Sequence, residues 1–383
     1  MAAELLQDIR FGLESGDENY LGSGWSAAEK GFRWMIGSES ELWLNNPGAG
    51  DAFVMRMDLA PFCHPPEIPG QRLTVTVRGQ PVGHSVLANN SSVAYRVPAA
   101  LVSGKAPVRV VLAHPDAARP TDHGHPADAR QLALALERLR LLRVSGEVEE
   151  LQLSGGQGMS PAEVAGETGI PAARLMMQFE SLGDNCEFGL VQRRCGAEPL
   201  SLLRFANIGL RDLVRALESE FEGLGEQDNL RFWTDASSRR EYVLRDSRYG
   251  LTFHTFLYYG EVDESRLLQQ QASRLKLLRR KLLEDLANGE KIFVVKRNDT
   301  PRDEEMLALY AALSNYGQNT LLWVLCADDG HEQGSVERVL PGLLKGYVDR
   351  LAPYENAHDL SFEVWLRLCV LARRIVPAQL VAA

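Results

Sequence analysis

Between residues 25 and 145 the chain is built from short β-branched and aromatic runs, cut at roughly ten-residue intervals by Gly, Pro, Asn and Asp. A two-sheet sandwich accepts that rhythm; helices and long parallel strands do not. The runs are SELWL (40–44), AFVMRMDLA (52–60), QRLTVTVRG (71–79), SVAYRVP (92–98) and APVRVVLAHP (106–115). In the third, Leu73, Val75 and Val77 share one face while Thr74, Thr76 and Arg78 share the other. One face is expected in a core and one in water. The run LALALERLRLLRV (132–144) is apolar enough for either a closing helix or a strand.

After residue 145 the character changes. Residues 145–175 are rich in Gly, Ser and Glu, with a short helix expected after Ser160-Pro161. The expected division is a sandwich over 1–147, a linker over 148–175 and a second domain over 176–383. An amphipathic helix is expected at 207–224 and further helices at about 264–288, 301–315 and 361–374, with strands at 230–234, 240–246, 251–259, 291–297 and 319–327. The last two strands with the helix between them read as a βαβ unit, so the second domain is assigned to the α/β class.

Composition narrows the function classes. The formal charge of −10 makes a nucleic-acid backbone an unsuitable general partner. No run approaches the roughly 18 apolar residues of a membrane span, and the acidic N-terminus has no signal-peptide core. Five scattered cysteines without C-x-x-C spacing point to reduced thiols, and the expected location is the cytoplasm. The leading reading requires no metal and no cofactor.

The segment FESLGDNCEFGLVQR (179–193) carries the most chemistry. A strand ending at Gly183 would place Cys186 in the first turn of a helix, where unpaired N–H groups and the helix dipole lower a thiol's pKa. His254, in YGLTFHTFLYY, is the histidine carried within an expected strand, and a later strand histidine facing a helix-borne cysteine is a nucleophile–base arrangement. Asn298, at the end of KIFVVKRND, is the expected orienting group.

The strings SLGDNCEFG, PLSLLRFANIGLRDLVRAL, YGLTFHTF and KIFVVKR resemble an uncharacterised bacterial family described as papain-like cysteine peptidases. The match covers about 178–300 and rests on Ser181, Leu182, Gly183, Cys186, Ser201, His254 and Arg297. The sequence departs from the pattern at Thr255, where an acidic residue is expected. The resemblance implies a papain-like α+β core and thiol-dependent hydrolysis or acyl transfer on a peptide or glycan-linked substrate. Asp184, Asn185, Arg204 and Arg297 are the expected substrate contacts. The N-terminal half, through GWSAAEKGFRWMIGSESELWL and DARQLALALERLRLL, resembles a β-sandwich module found beside alphaproteobacterial glycosyltransferases. That resemblance implies glycan binding through Trp25, Trp34 or Trp43, with Trp34 the chosen contact, and a glycosyltransferase as a partner.

Three classes therefore compete: a cysteine enzyme, a glycosyltransferase holding a metal on Asp328 and Asp329, and a carbohydrate-binding protein of surface polysaccharide synthesis with a vestigial Cys–His pair. The H-x-H pair His123 and His125 lacks a third ligand nearby.

Overall fold

A computed structural model of the chain describes residues 4–46, 52–102, 104, 106–124, 128–144, 151–236 and 239–376. The chain divides into two compact units, one of Ala3–Gly146 with Arg302–Ala311 and the other of Glu147–Pro301 with Ala312–Ala383. Among the described residues no helix is long and apolar enough to cross a membrane.

The first unit contains β1 (Glu4–Arg10), β2 (Arg33–Ile36), β3 (Glu39–Leu44), β4 (Ala52–Pro61), β5 (Gln71–Val77), β6 (Gln80–Leu87), β7 (Ser91–Val97), β8 (Val108–Ala113) and β9 (Leu132–Val144). One antiparallel sheet has the order β1-β9-β4-β7, with β2 also on β9; the other is β3-β8-β5-β6. Their inner faces share one core. Leu73, Val75 and Val77 are fully buried there with Met55, Met57 and Leu139, as the period-two pattern of β5 requires. The ambiguous run 132–144 is the strand β9, paired with β1, β2 and β4. Its first five residues are buried whichever face they point to, which explains an apolar run without alternation. Gly83 is forced by packing, since a Cβ there would lie 2.0 Å from the Tyr95 ring.

The second unit begins with β10 (Gln152–Leu153), α1 (Pro161–Thr168), α2 (Ala172–Met176), β11 (Phe179–Ser181) and α3 (Glu187–Arg194). There follow β12 (Ala206–Asn207), α4 (Leu210–Glu218), β13 (Leu230–Thr234), β14 (Glu241–Asp246), β15 (Leu251–Tyr258) and α5 (Glu264–Asn288). The chain continues through β16 (Ile292–Lys296), α6 (Asp303–Ser314, whose residues as far as Ala311 are assigned to the first unit), β17 (Thr320–Cys326), β18 (Val336–Leu340), β19 (Leu343–Val348) and α7 (Phe362–Ile375). A six-stranded sheet runs β10-β18-β19-β17-β16-β11 and an antiparallel one β12-β15-β14-β13. In the larger sheet β11, β16, β17 and β19 are mutually parallel. Helices α1, α2, α3 and α7 bury their apolar stripes in one cluster with this sheet, centred on the fully buried Trp365.

Residues 151–175 are not a linker. β10 pairs with β18, and Met159, Val164, Ala172 and Leu175 belong to the Trp365 core. The polar composition serves the helix start instead: Ser160 and Glu163 form a reciprocal capping box on α1. Residues 148–150 of the expected linker lie outside the described residues. The amphipathic stretch 207–224 also shortens to α4, because Glu220 and Phe221 both take positive φ while Phe221 turns into the core.

Candidate functional site

β11 ends at Ser181, and the chain passes through Gly183 and Asp184, both at φ 94°. Positive φ strains a non-glycine residue, so Asp184 must be held by its surroundings. Tyr354 donates its hydroxyl to Oδ1 at 2.7 Å, and Lys296 Nζ lies 3.2 Å from Oδ2. Asn207 donates to the Asp184 carbonyl at 2.7 Å. The turn delivers Cys186 to the residue before α3, and Asn185 Oδ1 takes the Glu187 N–H at 2.8 Å. Gly189 lets α3 approach the next segment: a Cβ would lie 2.7 Å from both the Arg204 carbonyl and the Phe205 ring.

Beneath Cys186 lies a buried charge cluster at the carboxyl ends of β11 and β16. Lys296 is 2% exposed and reaches Asp184 and Glu187 at 3.2 Å each. Glu187 also accepts from Trp365 Nε1 at 2.9 Å and from the Ala352 N–H at 3.0 Å. Asn298 belongs to this cluster: Lys296 donates to its Oδ1 at 2.8 Å, and its Nδ2 donates to the Ala352 carbonyl at 2.9 Å.

His254 occupies the other, antiparallel sheet. On β15 its Nδ1 lies 3.2 Å from Glu241 Oε2, the carboxylate at the start of β14. Glu241 Oε1 accepts the Phe256 N–H at 2.8 Å, and Asp235 Oδ1 accepts the Glu241 N–H at 2.8 Å. A bulge between Glu241 and Val243, with Phe256 at φ 58°, brings that carboxylate beside the imidazole. The group set to orient His254 is therefore Glu241, not Asn298. Asn298 lies in the turn after β16, and its amide bonds Lys296 and Ala352.

Glu241 also acts on Cys186. Burial, then the Glu241 carboxylate, push the thiol above its ordinary range, and Arg193 and Lys296 only partly oppose them. The lowered pKa expected from the helix start does not result, because burial and the Glu241 carboxylate outweigh Arg193 and Lys296. No hydrogen bond joins Cys186 and His254 among the described residues. Iodoacetamide should then modify exposed Cys326 before Cys186 at neutral pH, with the Cys186 rate climbing as the pH is made alkaline. Mass-spectrometric labelling across pH 6–10 checks this, and fastest labelling of Cys186 at pH 6 would contradict it.

The four expected substrate contacts turn inward. Asp184 and Asn185 hold the turn; Arg204 donates to the Gly189 and Ala197 carbonyls at 2.9 Å; Arg297 donates to the Ile208 carbonyl at 2.9 Å. Their polar residue types marked them as contacts, but their atoms are used in building the site.

In the sandwich, the three tryptophans separate. Trp25 stacks on Phe11 and donates to the Glu41 carbonyl at 2.8 Å. Trp34, the chosen contact, is half-buried and edge-on to Phe32. Trp43 on β3 is 43% exposed. It pairs across the sheet with Arg109, whose guanidinium bonds the Glu41 carboxylate, and Val111 and Thr76 continue the same wet face on β8 and β5. The outward indole is thus Trp43, as the alternation of β3 dictates.

Asp328 lies on an exposed turn, where its Oδ1 takes the Gly330 N–H and contacts His331 Nδ1 at 2.7 Å. Among the described residues no three His, Cys, Asp or Glu side chains converge as a metal set. His123 lies with its ring 4.9 Å from that of His64, and His125 falls outside the described residues.

The chain matches no known protein family and no curated protein. Among solved structures it is similar to the C-terminal CBM6 of LamC, a marine laminarinase from Zobellia galactanivorans, at 11% identity and a TM-score of 0.23, covering 35% of this chain and 98% of that one. It is similar also to the CBM36-1 domain of a xylanase from the hindgut metagenome of Trinervitermes trinervoides, at 9% identity and a TM-score of 0.24, covering 37% and 98%. A carbohydrate-binding module CBM36 solved with calcium and xylotriose gives 8% identity and a TM-score of 0.23, covering 35% and 98%. Likeness of this degree carries no argument about what the chain binds.

Proposed function

We propose that the protein recognises carbohydrate through the outer face of the β3-β8-β5-β6 sheet, with Trp43 as the stacking platform. The observation that carries this is the outward Trp43 indole on a flat sheet face, beside the Glu41–Arg109 pair. An indole offers a flat apolar surface to a sugar ring, and the neighbouring charged pair and Thr76 offer hydrogen bonds to hydroxyls. Each such contact is weak, so affinity near millimolar is expected, about −4 to −5 kcal/mol. Titrating the full chain with a panel of neutral and acidic oligosaccharides should give a saturable change in tryptophan fluorescence for at least one. Trp43→Ala should weaken that binding at least roughly tenfold, the loss of about 1.4 kcal/mol. Binding unchanged in Trp43→Ala would overturn the assignment.

A second reading concerns the other unit, and the His254–Glu241 bond supports it. Cys186 would be the nucleophile, His254 the base and Glu241 the group that fixes the imidazole, in a thiol-dependent hydrolase or acyltransferase acting on a peptide or glycan-linked substrate. With Nδ1–H directed at Glu241, His254 keeps Nε2 as the acceptor for the thiol proton. The resemblance of residues 178–300 to papain-like cysteine peptidases agrees with this reading. The raised thiol pKa means the proton must leave as substrate binds rather than before.

A further inference from the structure

The second unit contains a pocket of about 30 Å³ beside His254. One wall is His254 itself; Phe205, Phe253, Leu275 and Leu278 form the apolar sides, and Arg274 of α5 completes it. A water-sized group needs roughly 10–15 Å³ of such space, so two such groups fit and a bulky side chain does not. Arg193 is paired with Glu198, Arg204 with Glu198 and two carbonyls, and Arg279 with the Glu220 carbonyl. Arg274 is exposed and has no hydrogen-bond or ion-pair partner among the described residues. A guanidinium presents a fork that matches a carboxylate bidentately, and here Arg274 lines a small cleft with Ser201, His254 and apolar side chains.

We propose that this pocket seats a short carboxylate-bearing group of the substrate, with the carboxylate on Arg274 and a stem of two or so carbons between Phe205, Phe253, Leu275 and Leu278. The opposite end of such a group is left at His254. The assignment deepens the thiol reading by naming an acidic, short-stemmed substrate group, and it rests on that reading only for the chemistry that follows binding.

The test is a titration of the full-length protein with sodium propionate and, separately, propionamide, following the His254 imidazole by NMR. The expected result is a saturable shift with propionate, an apparent affinity at least roughly tenfold above that for propionamide, and loss of that preference in Arg274→Leu. Equal response to the two probes, no response to either, or a preference unchanged in Arg274→Leu would overturn the proposal. Leu278→Phe, which fills the cleft and leaves the guanidinium, should also abolish the propionate shift; a shift that persists places the anion elsewhere and overturns it. Labelling of Cys186 is measured separately. A Cys186 thiol that stays unlabelled even at pH 10, with intact propionate binding, defeats the thiol reading alone, and a thiol that labels in alkali without propionate binding defeats the pocket alone.

Discussion

Lys296→Met is expected to destabilise the second unit by about 3–5 kcal/mol, the usual cost of removing one partner from a buried ion pair. Lys296 is the buried cation between Asp184 and Glu187, with side-chain exposures of 2%, 0% and 0%. Methionine nearly preserves the volume of lysine, so lost packing contributes little and the penalty is electrostatic. Two carboxylates would remain, of which Glu187 still has Trp365 and Ala352, and Asp184 still has Tyr354. The strained turn at Asp184 depends on the same cluster, so the Cys186 segment should loosen as well. Urea unfolding with an unchanged slope and a lower midpoint measures the loss. A change below about 1 kcal/mol would show that the cluster is solvated and that the turn is held by other contacts.

Glu241→Gln is expected to move two observables in opposite directions. The carboxylate raises the Cys186 thiol through space, so its removal should shift the labelling profile of Cys186 to lower pH and speed labelling at neutral pH. The same carboxylate fixes His254, so any Cys186-dependent turnover of a p-nitrophenyl ester should fall by roughly 10²–10⁴, the range of general acid–base contributions. A substitution that merely disturbed packing would not split reactivity from turnover in this way. Unchanged turnover, or a labelling profile moved upward, would remove Glu241 from the site.

The elements that are self-evident in sequence are those whose periodicity reflects one buried face. β5 shows this through Leu73, Val75 and Val77, and the βαβ passage through Lys296, α6 and Cys326 shows it by composition. The hairpin β18–β19 is not among the expected strands, although Pro341-Gly342, with Gly342 at φ 85°, is a turn signal between two apolar runs. Polar residues were harder. Glu241 is one acidic residue among many until the bulge opposite Phe256 places it against His254, and that register is a tertiary fact. Asn298 and Arg204 looked available because nothing in the chain reveals that the Ala352, Gly189 and Ala197 carbonyls will claim them. Among the tryptophans the alternation of β3 does decide: Leu42 and Leu44 are buried, so Trp43 must point outward.

That outward indole is also where the central claim is most directly tested. In ¹⁵N–¹H spectra of the full chain, the Nε1–H resonance of Trp43 should move saturably with a binding oligosaccharide, while that of Trp25, already bonded to the Glu41 carbonyl, stays in place. If no oligosaccharide in the panel moves the Trp43 resonance, the sheet face is not a carbohydrate site and the sandwich must serve another purpose.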